Sequence, residues 1–469
     1  MNRSAEPTQE CTDGADVYGR TLLGRIDRRS LQTPPARWIL GGILAVTLVV
    51  PSVQFVRRIG KVESSFYRTD KHRTALGRWL PDAEALTRLD EGQDPYGFGH
   101  WFPTPPFVLM CLVPFWKLGY TPAGVAWAVL KIVGLVGAMA WLARSLGVLR
   151  RAVPVGVLVM AGLFGLRPIV SDLQHGNLNI FMMIWLALAW GMYVRQKDFR
   201  AGLLVALAVV TKITPGLVLV YFVYKRAWRV VAGAAVGLLL LFVVLPGAYL
   251  GFATNLDLLG RWFDMQVRPV TLDGYQTVTI ENQSLNGTCL RLLSNADIIE
   301  VEELPATLAE KTGMEQEHMA RPVSAAGRLV RPCLSLAILV VLGWLCRRRS
   351  TARGNLRDWL EFGLVLLAML LLSERTWKHH LTTLPIVYLA VWYALACVDR
   401  SERFRAWFVA GLVVQWLLLV GTGAVIVGDR VADLLLDGGF VCWGLVLCSI
   451  QVAVLLTRTR SAAFASLNG

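Results

Sequence analysis

The stretch Ser373-Glu374-Arg375-Thr376-Trp377-Lys378-His379-His380 sets an acid, two cations and two of the six histidines between apolar runs at 358–372 and 381–397. Polar side chains crowded at the edge of an apolar run are there to touch something. Lysine, arginine, imidazole and amide donors are the groups a phosphate takes. A carboxylate within hydrogen-bond reach can make a hydroxyl nucleophilic. Four other places offer the same residue types. The segment 57–104 carries Asp70, Lys71, His72, Asp82, Asp94, Tyr96 and His100. A second group holds Arg167, Asp172, Gln174-His175-Gly176-Asn177 and Asn179. Lys212 stands alone before Pro215 inside an apolar run, and Asn282-Gln283-Ser284 follows Arg261, Trp262 and Arg268 and precedes Arg291.

Each of these has a plainer reading. Lys212 can snorkel, a histidine at a helix start commonly serves the backbone, Asp70 and Asp82 can simply solvate a loop, and Gly176 suits a tight turn. Three histidines, 175, 379 and 380, raise the question of zinc, but no acid or cysteine stands at ligand spacing from them, so no metal is expected. Read as a group, the cations and amides suit a phosphate and the carboxylates suit a base. Asp70 and Asp82 are among the carboxylates in question, and Lys212, His379, His380, His175, Asn177, Asn282, Gln283 and Arg375 among the groups suited to hold a phosphate or sugar.

The elements that must position them are membrane helices. The chain has 469 residues, 55% hydrophobic and 17% charged, with 17 Trp. A soluble chain carries about a quarter charged residues. The apolar residues come in runs long enough to span a bilayer rather than in stripes, and the period-2 alternation of a barrel is absent. The expected fold is therefore an all-α polytopic integral membrane protein with about 10–12 transmembrane helices. Net charge is +14. Arginines cluster at the ends of spans, which fits cytoplasmic connectors and anionic lipid and argues against nucleic acid. The eight cysteines contain no CxxC pair and read as small buried hydrophobes.

Arg20, Arg25, Arg28, Arg29 and Arg37 precede the first span and place the N-terminus in the cytoplasm. Residues 1–36 read as a disordered cytoplasmic tail and 37–469 as the transmembrane domain, with outer loops at 57–104 and 251–326. Residues 74–91 are expected to form an interfacial helix with Leu76, Trp79, Leu80 and Leu86 on one side. Basic connectors agree with a single topology only if two apolar runs do not cross as single helices. Run 105–118 is short and proline-flanked, and run 201–224 is interrupted at Thr211-Lys212-Ile213-Thr214-Pro215. Segment 374–380 then falls on the outer side.

In order along the chain stand Gly92/Asp94/Pro95/Tyr96, Pro105/Pro106, Gln174/His175/Gly176/Asn177/Asn179, Lys212/Pro215, Asn282/Gln283/Ser284/Leu285 and Trp377/His379/His380. This succession resembles glycosyltransferase family 87, of the GT-C superfamily, across roughly residues 38–456. The resemblance implies a GT-C-like bundle in the cell (inner, cytoplasmic) membrane with its active site on the outer face. It implies inverting transfer of a sugar, mannose, from a polyprenyl-phosphate donor to a lipid or glycan acceptor hydroxyl, without nucleotide, metal or other cofactor. A first-loop carboxylate would be the base. The family usually has an aspartate followed by an aromatic segment about fourteen residues before the loop glycine. Here that position is Arg78, and Ala83-Glu84-Ala85 replaces the aromatics, which leaves Asp70 and Asp82 as alternatives, with a slight preference for Asp70. A transporter or lipid flippase is the competing class. Against it stand the absence of an internal repeat and the gathering of polar groups at one edge rather than along a midplane path.

Overall fold

The structure is a computed structural model and describes residues 24, 33–62, 74–97, 104–147, 153–307, 309, 319–348, 353–398 and 400–465. Asp70 and nearly all of the expected tail at 1–36 lie outside the described residues. Among the described residues, seven helices are long and apolar enough to cross a membrane: Pro34–Lys61, Tyr120–Leu146, Val155–His175, Trp228–Leu250, Ala325–Cys346, Glu402–Val420 and Phe440–Thr459. Their outward faces expose large apolar side chains such as Ile39, Val133, Val340 and Trp344, as helices bathed in lipid do. The remaining apolar runs are shorter helices: Pro106–Leu118, Asn179–Val194, Asp198–Thr211, Gly216–Tyr224, Leu356–Leu372 and Leu384–Cys397.

Three of these short helices fill the middle of the bundle. Met183 and Trp190 of the first, Leu360, Val365, Leu366 and Leu367 of the second, and Leu384, Tyr388 and Leu389 of the third are almost wholly enclosed by protein. A helix that is apolar all round is surrounded either by lipid or by other helices. That ambiguity is why a count of runs gives a higher number than the helices of full membrane length. Close backbone approach also shapes the bundle. A Cβ on Gly202 would lie 2.1 Å from the Val230 carbonyl oxygen, and one on Gly233 would lie 2.1 Å from that of Phe199. The small residues let Asp198–Thr211 and Trp228–Leu250 pack nearly backbone to backbone.

The interruption expected in run 201–224 is present. Helix Asp198–Thr211 stops, Lys212 is extended, and Gly216–Tyr224 starts after Pro215. Proline has no N–H for the ladder and disfavours helix in the residue before it. The helix expected near 74–91 is also present, as Ala75–Leu86, capped by Thr74, whose hydroxyl accepts the Gly77 N–H at 3.1 Å. Its placement differs from expectation. Leu76, Trp79, Leu80 and Leu86 are buried in a second apolar core with Leu109, Leu112 and Ala123, so this helix packs inside the protein instead of lying on lipid. Its apolar face is covered by Pro106–Leu118, a partner that sequence periodicity does not specify.

Segment 251–326 departs from an all-helical reading in one respect. It contains β1 (Gln276–Thr277), β2 (Val301–Glu303) and β3 (Met319–Pro322), a small antiparallel sheet in the order β1-β3-β2. The end of helix Phe252–Gln266 and the residues just after it line the cavity at Ser373–His380, while the turn after β1 packs behind that stretch.

Candidate active site

A cavity of about 390 Å³ opens where several helix ends and the loops beyond them meet. Its wall includes Arg78 and Trp79, His175 and Asn177, Thr211 to Thr214, Arg331, and Ser373 to Arg375 with Trp377, His379 and His380.

The first wall is the end of helix Val155–His175. Gly176 stops that helix in the left-handed region, φ 67°, and its N–H returns to the Asp172 carbonyl at 2.9 Å. A Cβ there would strike the Phe55 ring at 2.1 Å, and the Gly176 carbonyl accepts from Trp127 Nε1 at 3.0 Å. Gly176→Ala is therefore expected to destabilise the protein by about 1–3 kcal/mol, measured as a lowered melting temperature in detergent. His175 Nδ1 donates to the Ser171 carbonyl at 2.7 Å, which leaves Nε2 as its other polar atom.

One turn before His175, Asp172 points inward. Its Oδ1 accepts from Lys131 Nζ at 2.6 Å and its Oδ2 from Asn179 Nδ2 at 3.0 Å; all three residues are at most 1% exposed. Asn179 Oδ1 in turn accepts from Lys212 Nζ at 3.0 Å. A chain Lys131–Asp172–Asn179–Lys212 thus runs from the bundle interior to the cavity wall. Lys131 already pairs with Asp172, and burial lowers the Lys212 ammonium from its ordinary 10.5 to about 7, so an anionic phosphate in the cavity would hold it in the charged form.

The second wall is Ser373–His380. His379 stacks on His175, with centroids 4.8 Å apart and planes 19° from parallel. Stacked rings aim their in-plane lone pairs side by side and do not converge on one ion. Among the described residues no group of three His, Cys, Asp or Glu is placed to hold a metal. His380 Nδ1 faces backbone, receiving the Trp377 N–H at 3.2 Å and lying 3.1 Å from the Arg375 carbonyl, which leaves Nε2 as its other polar atom. Burial, reinforced by neighbouring imidazoles and by Lys212, holds both His379 and His380 well below the ordinary value of 6.5. Both are neutral at pH 7 and act as hydrogen-bonding groups. The unfolded chain binds protons on them first, so their contribution to stability is complete above about pH 6.5 and is lost as pH falls toward the lowered folded values. A melting temperature that declines between pH 6.5 and 5, and less steeply in His379→Asn, is the expected result.

Arg375 lines the cavity and donates Nε and Nη2 to Thr277 Oγ1 at 3.0 and 2.8 Å, with Glu374 at 3.7 Å. Glu374 itself accepts from the Thr277 N–H and hydroxyl.

Asn282 and Gln283 occupy a different place from the one expected of substrate-binding groups. They do not line the cavity among the described residues and are fully buried behind Ser373–His380. Asn282 Nδ2 donates to the carbonyls of Thr277 and Glu374, and its Oδ1 accepts the Ser284 and Thr376 N–H groups. Gln283 binds the Ile280 and Leu436 carbonyls and the Cys442 N–H. With their amides consumed by backbone, these residues are placed to pin the turn 277–284 against Glu374 and Thr376. Asp94 likewise serves the fold, accepting the Tyr96 N–H at 2.9 Å and pairing with Arg261.

Asp82 is 2% exposed and lies one helical turn beyond Arg78, on the same face of its helix. Burial and then the Asp82 carboxylate push the Tyr96 hydroxyl well above its usual value. The structure therefore brings together His175, Asn177, Lys212, Arg375, His379 and His380 at one cavity and sets Asp82 one layer back. Arg78, Arg331 and Lys131 complete the arrangement and were not among the sequence candidates. Lys131 had a legible signal, being the single ionisable residue in run 121–143.

Residues 102–373 match the family described as Glycosyltransferase family 87, which is more than half of the chain. The chain belongs to that family. It is a glycosyltransferase embedded in a membrane by multiple helices. It is 26% identical, over 83% of its length and 81% of the relative's, to the polyprenol-phosphate-mannose-dependent alpha-(1-2)-phosphatidylinositol pentamannoside mannosyltransferase of Mycobacterium tuberculosis (strain CDC 1551 / Oshkosh). It is also 26% identical to the polyprenol-phosphate-mannose-dependent alpha-(1-2)-phosphatidylinositol mannoside mannosyltransferase of Mycolicibacterium smegmatis (strain ATCC 700084 / mc(2)155), over 77% of each chain. No solved structure matches the chain.

Proposed function

We propose that this family 87 glycosyltransferase moves mannose from a polyprenyl-phosphate donor to a hydroxyl of a phosphatidylinositol mannoside or a similar glycolipid, on the outer face of the membrane. The observation that carries the reading is the charge of the cavity. Among the described residues its wall holds Arg78, Lys212, Arg331 and Arg375 against one acid, Glu374, which is engaged by Thr277 and Arg375. Such a wall favours a phosphate and the negative charge that grows on it as the sugar departs.

In the reaction the acceptor oxygen bonds to the anomeric carbon while the bond from that carbon to the phosphate oxygen breaks. The electron pair leaves with the polyprenyl phosphate, and the hydroxyl proton passes to a base. Lys212 and Arg375 hold the departing phosphate. The neutral His379 and His380 and the Asn177 amide offer hydrogen bonds to phosphate or sugar.

Asp70 and Asp82 are the two proposed bases. Asp82, set behind Arg78, needs the helix end to move or a water to relay the proton. Aspartate to asparagine at the true base removes the proton acceptor and is expected to lower turnover by about 10²–10⁴-fold with little change in donor affinity. Rates measured on membranes with labelled polyprenyl-phosphate mannose and phosphatidylinositol mannoside decide it. Full activity in both Asp70→Asn and Asp82→Asn eliminates the assignment, and no transfer from any lipid-linked mannose to any glycolipid eliminates the function.

A further inference from the structure

A second cationic site lies past helix Leu384–Cys397, which separates it from the cavity-lining stretch Ser373–His380. Arg400 and Arg458 both approach the Phe404 ring, their guanidinium carbons 5.3 and 4.4 Å from its centroid. Arg400 gives Nη2 to Thr459 Oγ1 at 3.2 Å, while its Nε is buried with no hydrogen-bond partner. Arg405 is spent on the Leu395 and Val398 carbonyls. Among the described residues no carboxylate pairs with Arg400, Arg403 or Arg458, although Glu402 is exposed nearby. Holding like charges this close costs free energy that an anion offsets.

Beside this cluster a groove of about 550 Å³ runs between helices Glu402–Val420 and Phe440–Ala465. Arg403 and Arg458 stand at one end, and the exposed Trp407 and Ile450 form its outward apolar rim. Gln451, 7% exposed, lines the groove. Its Nε2 donates to the Phe408 carbonyl, which fixes the orientation of the amide, and its Oε1 is buried and unpartnered. An occupant must then present an anion to the arginines, an apolar chain to Trp407 and Ile450, and a hydroxyl or accompanying water to Gln451. Free phosphate meets only the first requirement.

We propose that this groove binds one anionic glycerophospholipid, its phosphate between Arg403 and Arg458 and one acyl chain along Trp407 and Ile450. The site is independent of the sugar-transfer cavity.

The test uses the full-length protein, delipidated in detergent and then titrated with phosphatidylglycerol, with binding read by native mass spectrometry and thermal shift. One phosphatidylglycerol is expected to bind in preference to phosphatidylcholine, and Arg403→Gln with Arg458→Gln to weaken it about tenfold or more. Unchanged melting of that variant in phosphatidylcholine alone shows an intact fold. A photoreactive phosphatidylglycerol is expected to label the segment around Trp407 in the wild-type protein, a readout that does not depend on the variant. Equal binding of phosphatidylcholine, equal protection by inorganic phosphate, no loss in the variant, or labelling confined to other helices overturns the proposal.

Discussion

Lys212→Met is expected to lower mannosyl transfer by about 10²–10³-fold while leaving the protein folded. Lys212 is held by one hydrogen bond, to Asn179 Oδ1, and is not the ion-pair partner of Asp172, which Lys131 already neutralises. Methionine keeps the apolar stem and relieves a cation of its position in the bundle, so the melting temperature should hold. What is lost is a positive charge at the wall where the donor phosphate is proposed to sit. The attraction to a leaving phosphate grows through the reaction, so the loss should fall on kcat more than on KM. Arginine should rescue incompletely, because its planar fork cannot occupy the point position that the Asn179 oxygen sets for an ammonium. Initial rates against donor concentration, at fixed acceptor, give both constants. Wild-type kcat in Lys212→Met would remove Lys212 from the phosphate site and leave Arg78, Arg331 and Arg375 to explain it.

The helical membrane class was legible because composition and run length respond to the bilayer directly. The break at 211–215 was legible because a lysine and a proline in an apolar run admit few other readings. The gathering of His175, Lys212, Arg375, His379 and His380 was legible because each is a costly residue at the edge of an apolar run. Depth within the protein was not. Helix Ala75–Leu86 has an amphipathic pattern that suits a lipid surface or a protein neighbour equally, and the structure supplies the neighbour. Asn282 and Gln283 show the same limit at the level of one side chain. An amide next to a site has the same composition whether it faces a ligand or holds the loop that does, and only the positions of its hydrogen-bond partners separate the two. A lone charge in an apolar run marks Lys131 without naming its partner, because Asp172 is 41 residues away.

That pair gives the second large expectation. Asp172→Leu leaves the Lys131 ammonium buried without its carboxylate and should cost about 3–5 kcal/mol, seen as poor folding or a strongly lowered melting temperature. Joining it with Lys131→Met removes both charges, and such an exchange of a buried pair for apolar groups is commonly neutral or stabilising. The double variant should therefore melt near the wild-type temperature. Its activity should not return. Asn179 Nδ2 loses Asp172 Oδ2, the amide is free to turn, and Lys212 loses the fixed oxygen that aims it. A shift of about 1 Å in such a group can cost about 100-fold, so the refolded double variant is expected to transfer mannose at about 1% of the wild-type rate. Lys131→Met with Asp172→Asn separates packing from aim, since an asparagine there can still accept from Asn179 Nδ2 and should restore part of the rate without restoring any charge. A double variant that is both stable and fully active would reduce Lys131 and Asp172 to helix packing. A stable but inactive one, rescued in part by asparagine, makes them the residues that set the direction of Lys212.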